Sequence, residues 1–301
     1  MNKKLNQKCM NGKLIQVKNA IIIGVMMMCL QPVLLNAQMA FSIVNPNETT
    51  KMEPIDDVLF IVQYETKMIT DTLNPEKKVD ESMVLKVGAV SSSYYSYTRF
   101  ISDSILGEQL KKSGHIRIEK ENAGNMGFVT YQIFKNYPAG KVTTLDKVAM
   151  NRFRCEEEND IPAWELLPDT ATILSYLCQK AVCNFKGREY EAWFTPEIPR
   201  NEGPWKLYGL PGLILKASDS QGHYTFECTG LTNTTEKLMF GADGYESISR
   251  KNLNRIYERF ATDPAGYISS TNPNVKLVMK DESGENKTIK NMPYNPIERT
   301  E

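Results

Sequence analysis

Residues 203–219, GPWKLYGLPGLILKASD, constrain the fold more than any other stretch of the chain. Pro204 and Pro211 each fix φ and lack an amide donor, while Gly209 and Gly212 admit positive φ or close backbone approach. Such a segment cannot be the interior of a helix or a strand. It reverses the chain and delivers it into Leu213-Ile214-Leu215, a short apolar run suited to a buried strand. A phosphate cradle is excluded, because no strand precedes the glycines at the right spacing and no helix opens behind them. The pattern predicts a central strand at Leu213-Ile214-Leu215, with Leu210 plugging the same core.

Hairpins flank this reversal. ILSYLCQKAVCNF and YEAWFTPEIP are joined by Lys186-Gly187-Arg188, with glycine where a tight turn needs it. GLILKAS and HYTFECT are joined by Asp219-Ser220-Gln221-Gly222. On the last of these runs Tyr224, Phe226 and Cys228 share a face and point to the core, leaving His223 towards water. Upstream, VLFIVQYETKM from Val58, MVLKVGAV from Met83, YYSYTRF from Tyr94, HIRIEK, GFVTYQIF and KVAMNRF carry strand patterning. SDSILGEQLKKSG reads as a short helix capped by Ser102 and stopped by Gly114. A second helix is clearer. Ser249 caps RKNLNRIYERFATDP, where Leu253, Ile256, Tyr257 and Phe260 share one face, and Asp263-Pro264 ends it. VKLVMK predicts a last strand. The expected class is mainly β: a curved antiparallel sheet, an open half-barrel or sandwich, of short strands and hairpins with one or two short helices.

The N-terminus carries Lys3, Lys4, Lys8, Lys13 and Lys18, then an apolar run from Ala20 to Leu30, then Leu35-Asn36-Ala37. That is the layout of a secretory signal peptide, predicted over residues 1–37 with cleavage after Ala37. Gln31-Pro32 stops the run short of the roughly 20 apolar residues of a membrane span. Residues 38–57 then read as a flexible lead-in, and 58–301 as a single β-rich domain, exported to the periplasm or beyond. No integral membrane span is expected in the mature chain.

Losing the five lysines leaves 31 basic residues against 36 acidic. An acidic chain without a basic cluster argues against nucleic-acid binding. Cys155, Cys178, Cys183 and Cys228 remain after cleavage, and an even count in an exported chain makes them disulfide candidates. Cys178 and Cys183 are too far apart along one strand to bridge each other, so each pairs with Cys155 or Cys228 or stays a buried thiol. A zinc site would have only His115 and His223 to complete it, so neither metal nor other cofactor is expected.

YLCQKAVCNFKGREYEAWFTPEIP, GPWKLYGLPGLILKASD, HYTFEC and the late YNPIE together resemble the GLPGLI family of exported Bacteroidota proteins. The name-giving motif stands here as Gly209-Leu210-Pro211-Gly212-Leu213-Ile214, and the likeness is most specific over residues 172–230. The resemblance implies export and one domain architecture, and it assigns no catalytic residue. It also implies O-glycosylation at Asp-(Ser/Thr)-apolar triplets, of which three occur: Asp71-Thr72-Leu73, Asp103-Ser104-Ile105 and Asp169-Thr170-Ala171. The native exported protein is then expected to weigh more than its bare polypeptide, which an intact-mass measurement checks.

No nucleophile elbow, zinc helix or P-loop is present, and with two histidines any general base would fall on carboxylates such as Glu197 or Glu227. The aromatics suggest binding instead. Trp193 and Trp205 flank the Gly/Pro loop, so Arg188, Trp193, Glu197, Trp205 and Tyr208 form a candidate binding rim. The expected function is a cell-envelope binding or accessory protein for a hydrophobic ligand or protein partner. The alternative is a carboxylate-dependent hydrolase near Glu197.

Overall fold

The computed structural model describes residues 50–113, 127–271, 279–280, 286–287 and 291–299. Six strands run first: β1 (Glu53–Ile69), β2 (Lys78–Gly88), β3 (Ser92–Ser96), β4 (Gln132–Lys135), β5 (Lys141–Val148) and β6 (Asn151–Glu158). Five follow: β7 (Glu165–Ile173), β8 (Tyr176–Phe185), β9 (Arg188–Thr195), β10 (Leu213–Asp219) and β11 (Tyr224–Asn233). The short strands β12 (Lys237–Phe240), β13 (Glu246–Ser247), β14 (Met279–Lys280) and β15 (Asn286–Lys287) complete the set. Among the described residues the helices are α1 (Tyr97–Ser113), α2 (Arg250–Thr262) and α3 (Pro264–Thr271). None of them is long and apolar enough to cross a membrane.

Thirteen strands form one open sheet in the order β13-β6-β5-β4-β3-β2-β1-β11-β10-β9-β8-β7, with β12 alongside the start of β1. All pairings are antiparallel except that of β13 with β6. The 17-residue β1 joins the two halves, pairing β2 on one side and β11 with β12 on the other. From Val62 its buried residues alternate through Tyr64, Thr66 and Met68, the period-two signature of a strand with one core face. The sheet curls until its two halves approach. Lys135 of β4 donates to the carbonyl of Gly203 at 2.8 Å and pairs with Glu202 at 2.6 Å.

What fills the curl is the Gly/Pro segment. Trp205, Leu207 and Leu210 are at most 1% exposed, and Leu213, Ile214 and Leu215 of β10 are wholly buried. Gly209 has φ of +95°, and a Cβ on Gly212 would lie 2.1 Å from the carbonyl oxygen of Thr195. Both glycines are therefore obligatory, one for its dihedral and one for closeness. The predicted reversal, central strand and Leu210 plug all hold.

Other boundaries differ from the pattern. YYSYTRF is strand only to Ser96, whose Oγ accepts the Arg99 amide at 2.9 Å and so caps α1. Ser102, the expected cap, donates back to the Thr98 carbonyl inside that helix. KVAMNRF is strand broken by a turn, with Ala149 at φ +53° between the end of β5 at Val148 and the start of β6 at Asn151. GFVTYQIF is strand only from Gln132, and β1 starts at Glu53, inside the expected lead-in. β7, ELLPDTATI, has little apolar patterning because it is the exposed last strand, where Pro168 is tolerated. HIRIEK lies outside the described residues, as does most of VKLVMK.

The late helix is as predicted. Ser249 caps α2 by accepting from the Asn252 amide, and Leu253 and Phe260 are buried against Val148, Phe153 and Cys155. The four cysteines among the described residues are free buried thiols, which corrects the disulfide expectation in favour of the buried-thiol alternative. Cys155 sits under α2 in a cluster separate from the other three. Cys228 on β11 is separated from Cys178 and Cys183 on β8 by β10 and β9.

Candidate functional site

α2 and the C-terminal tail (291–299) do not close flat onto the concave face. Between them and the sheet lies a cavity of about 560 Å³. Met68, Val79 and Ile133 from the sheet, Trp205 from the plug, Phe260 from α2 and Ile297 from the tail supply apolar wall. The tail is fastened along its length. Asn291 and Met292 donate backbone N–H groups to Thr262 and Ala261 at 2.9 and 2.7 Å, and Arg299 to Lys186 at 2.9 Å.

Its strongest fastening is Arg188, first residue of β9 after the turn at Lys186-Gly187, where both φ angles are positive. Arg188 Nη1 pairs with Asp219 at 2.5 Å, with both side chains at most 2% exposed. Nη2 donates to Asn295 Oδ1 and the Pro296 carbonyl, and Nε to the Ile297 carbonyl. Asn295 in turn donates to the Ile69 carbonyl at 2.7 Å and accepts Tyr224 O–H at 2.6 Å. The arginine expected at a binding rim is thus a structural ion pair inside the protein, with Asp219 as its acidic partner.

Thr144, Asp146, Arg250 and Glu298 line the cavity's other wall, and Lys206 and Glu157, outside the lining, pair with two of them. Lys206 of the plug pairs with Glu157 of β6 at 2.5 Å and with Glu298 of the tail at 2.6 Å. Arg250, at the start of α2, pairs with Glu157 at 2.8 Å and lies 3.5 Å from Glu298, and it donates to Thr144 at 2.9 Å. Two cations and two anions close a ring that ties plug, sheet, helix and tail together. Beside it Asp146 accepts from Thr130 and the Lys147 amide, each at 2.6 Å, and from the Tyr257 hydroxyl. Burial nevertheless pushes the Asp146 carboxyl above its usual range.

Glu157 is shifted the other way. Burial alone would raise it, but Lys206 and Arg250 outweigh that and hold it at about 2, against 4.5 for an ordinary glutamate. A carboxyl depressed on folding stabilises fully above its unfolded pKa and loses that contribution as pH falls through the folded one. Asp146 and Glu81, both raised by burial, contribute with the opposite sign on mild acidification. The urea midpoint is therefore expected to fall steeply only between pH 4.5 and about 2. Glu157→Gln should lower it at neutral pH and flatten that acid limb. An unchanged acid limb in the variant would refute the assignment.

Of the expected rim residues only Trp205 lines the cavity. Trp205 is a buried wall of the cavity rather than a rim residue. Tyr208 is buried, hydrogen-bonded to Asn159, and its carbonyl accepts Trp164 Nε1 at 2.8 Å. Trp193 donates to Glu191 under the Lys180 ammonium, away from the cavity. Glu197 is exposed and accepts the Leu177 amide at 2.8 Å, as a turn residue does. Glu227 pairs with Lys216. The groups that do converge, Asp146, Glu157, Lys206, Arg250 and Glu298, were not singled out by pattern. Lys206 and Glu298 nonetheless stand in GPWKLYGLPGLI and YNPIE, two of the stretches that carried the family resemblance.

A protein-family model described as "Protein of unknown function (Porph_ging)" matches residues 183–216, the β8–β9 turn through β10. That family has no assigned function. No curated protein matches. Among solved structures, PNGF-II in a P21 space group is similar with a TM-score of 0.45 and 13% identity, covering 66% of this chain and 32% of that one. PNGF-II in a C2 space group gives 0.43 and 15%, covering 65% and 32%. The chain thus spans about a third of the length of the solved chains it matches.

Proposed function

We propose that the chain is a GLPGLI-type exported binding or accessory protein of the cell envelope whose ligand site is the cavity under α2 and the tail. The cavity carries the reading. A volume of about 560 Å³ with apolar walls and a few grouped polar side chains falls in the usual range of small-molecule sites. Hydrolysis has less support. The two carboxylates on the polar wall, Asp146 and Glu298, are engaged by protein donors and cations, and Glu197 stands apart from them. Export after cleavage at Ala37, and glycosylation, belong to the same proposal. Thr72 lies in the exposed β1–β2 turn and Thr170 on the exposed β7, accessible as a glycan acceptor must be. Asp103 is instead paired with Arg99 and Lys147, which makes Ser104 the poorest acceptor of the three.

Native mass spectrometry of the purified protein tests the cavity. A co-purified apolar molecule, or saturable uptake of an added one, is expected in the wild type. Ala261→Phe, which puts a ring into the cavity from α2, should abolish either. Equal binding by the filled variant would remove the cavity as the site.

A further inference from the structure

One carboxylate oxygen on the polar wall is left without a donor, and it indicates the head group an apolar ligand would carry. The inference rests on the cavity being the binding site. Glu298 lines the cavity and is 9% exposed. Its Oε1 holds Lys206 at 2.6 Å, whereas Oε2 is buried with no hydrogen-bond donor, and Arg250 Nε comes only to 3.5 Å. That guanidinium is committed elsewhere: Nε and Nη2 donate to Glu157, and Nη2 also to Thr144. A buried carboxylate oxygen without a donor is costly, so an N–H or O–H brought to it is favoured.

Charge decides which donor. Arg250 and Lys206 stand against three carboxylates, Glu157, Glu298 and Asp146. Lys147 adds no positive charge, because Asp103 pairs with it at 2.9 Å. At the β1–β2 end of the lining Lys77 and Lys78 balance Asp71 and Asp80. The inner wall therefore carries one carboxylate in surplus. Donors at Thr130, the Lys147 amide and Tyr257 support Asp146 in its ionised form. Burial first, then Asp146 and with it Glu298, raise the Tyr257 hydroxyl against the pull of Arg250, so both carboxylates act on the same part of the cavity. A carboxylate shared by two cations is already the geometry of this wall, since Glu157 holds Lys206 at 2.5 Å and Arg250 at 2.8 Å. We infer that the cavity takes an apolar chain ending in a primary or secondary ammonium, which donates an N–H to Glu298 Oε2 and offsets the surplus carboxylate.

The test is a calorimetric binding series of decylamine, decyltrimethylammonium, decanol and decanoate on the full chain near neutral pH. Decylamine is expected to bind at least about tenfold tighter than each of the others. Decyltrimethylammonium has the charge without an N–H, decanol has a donor without the charge, and decanoate has the wrong sign. Glu298→Gln should bring decylamine to within about threefold of decanol. Decylamine binding no tighter than decanol or decyltrimethylammonium would overturn the inference, as would tightest binding by decanoate. A decylamine preference unmoved in a folded Glu298→Gln would overturn it too. If that variant does not fold, the wild-type series decides alone. If all four bind alike and Ala261→Phe abolishes them, the head-group inference fails while the cavity stands. If none binds, or Ala261→Phe binds as the wild type does, the cavity reading itself fails and takes the inference with it.

Discussion

Gly212→Val is expected to remove about 3 kcal/mol or more of stability, enough to leave much of a marginal protein unfolded. The reason is local and steric. A Cβ at this position would sit 2.1 Å from the Thr195 oxygen, 2.6 Å from its carbonyl carbon and 2.9 Å from the Pro196 nitrogen. All three are backbone atoms at the end of β9, so no rotamer change relieves them. Either β9 or β10 must move, and β10 carries Leu213, Ile214 and Leu215 at the centre of the core. Overpacking against a backbone that cannot yield is among the more costly single changes. Urea denaturation reads the loss. A variant with a wild-type midpoint would show that the two strands separate easily here and that the motif serves something other than packing.

The second large effect is at Arg188. Arg188→Met removes a guanidinium with four close polar partners and leaves Asp219 buried without its cation. Stranding one member of a buried ion pair costs about 3–5 kcal/mol. Arg188→Lys should recover little of it, because a single ammonium cannot reach Asp219, Asn295 and the Pro296 and Ile297 carbonyls together. The loss should be visible first at the tail. Limited proteolysis of either variant is expected to cut near residues 291–299 under conditions where the rest of the wild-type chain survives. If Arg188→Met keeps a protected tail and a wild-type midpoint, the ion pair is not what fastens it.

The local grammar of this chain was largely readable. Turn chemistry at Lys186-Gly187, the alternation of Tyr224, Phe226 and Cys228, and the Ser249 cap are decided within a few residues, and each is observed as expected. Errors arose where two local signals competed. YYSYTRF looks like strand by its aromatics, yet Ser96 offers a cap that turns its second half into helix. β7 was invisible because an exposed edge strand has no core face to pattern. The site was less legible for a different reason. Arg188 read as a rim residue because its partners lie 31 and 107 residues downstream. Trp205 looked exposed because loops usually are, whereas this one is swallowed by the curl of its own sheet. A ring made by Glu157, Lys206, Arg250 and Glu298 exists only once four distant segments have met.

The place of β1 in the sheet carries a consequence for how the chain folds. Residues 53–69 find half their hydrogen-bonding partners in residues 224–240. Local hairpins such as β5–β6 and β8–β9 can form as soon as they are synthesised, but the seam between the halves must wait for nearly the whole polypeptide. The clasp of Arg188 on Asn295 waits longer still. Each half meanwhile carries an unpaired strand edge beside exposed core residues. Assembly should therefore be slow, late and vulnerable to association with other unfolded chains, with a rate set by the meeting of the two ends.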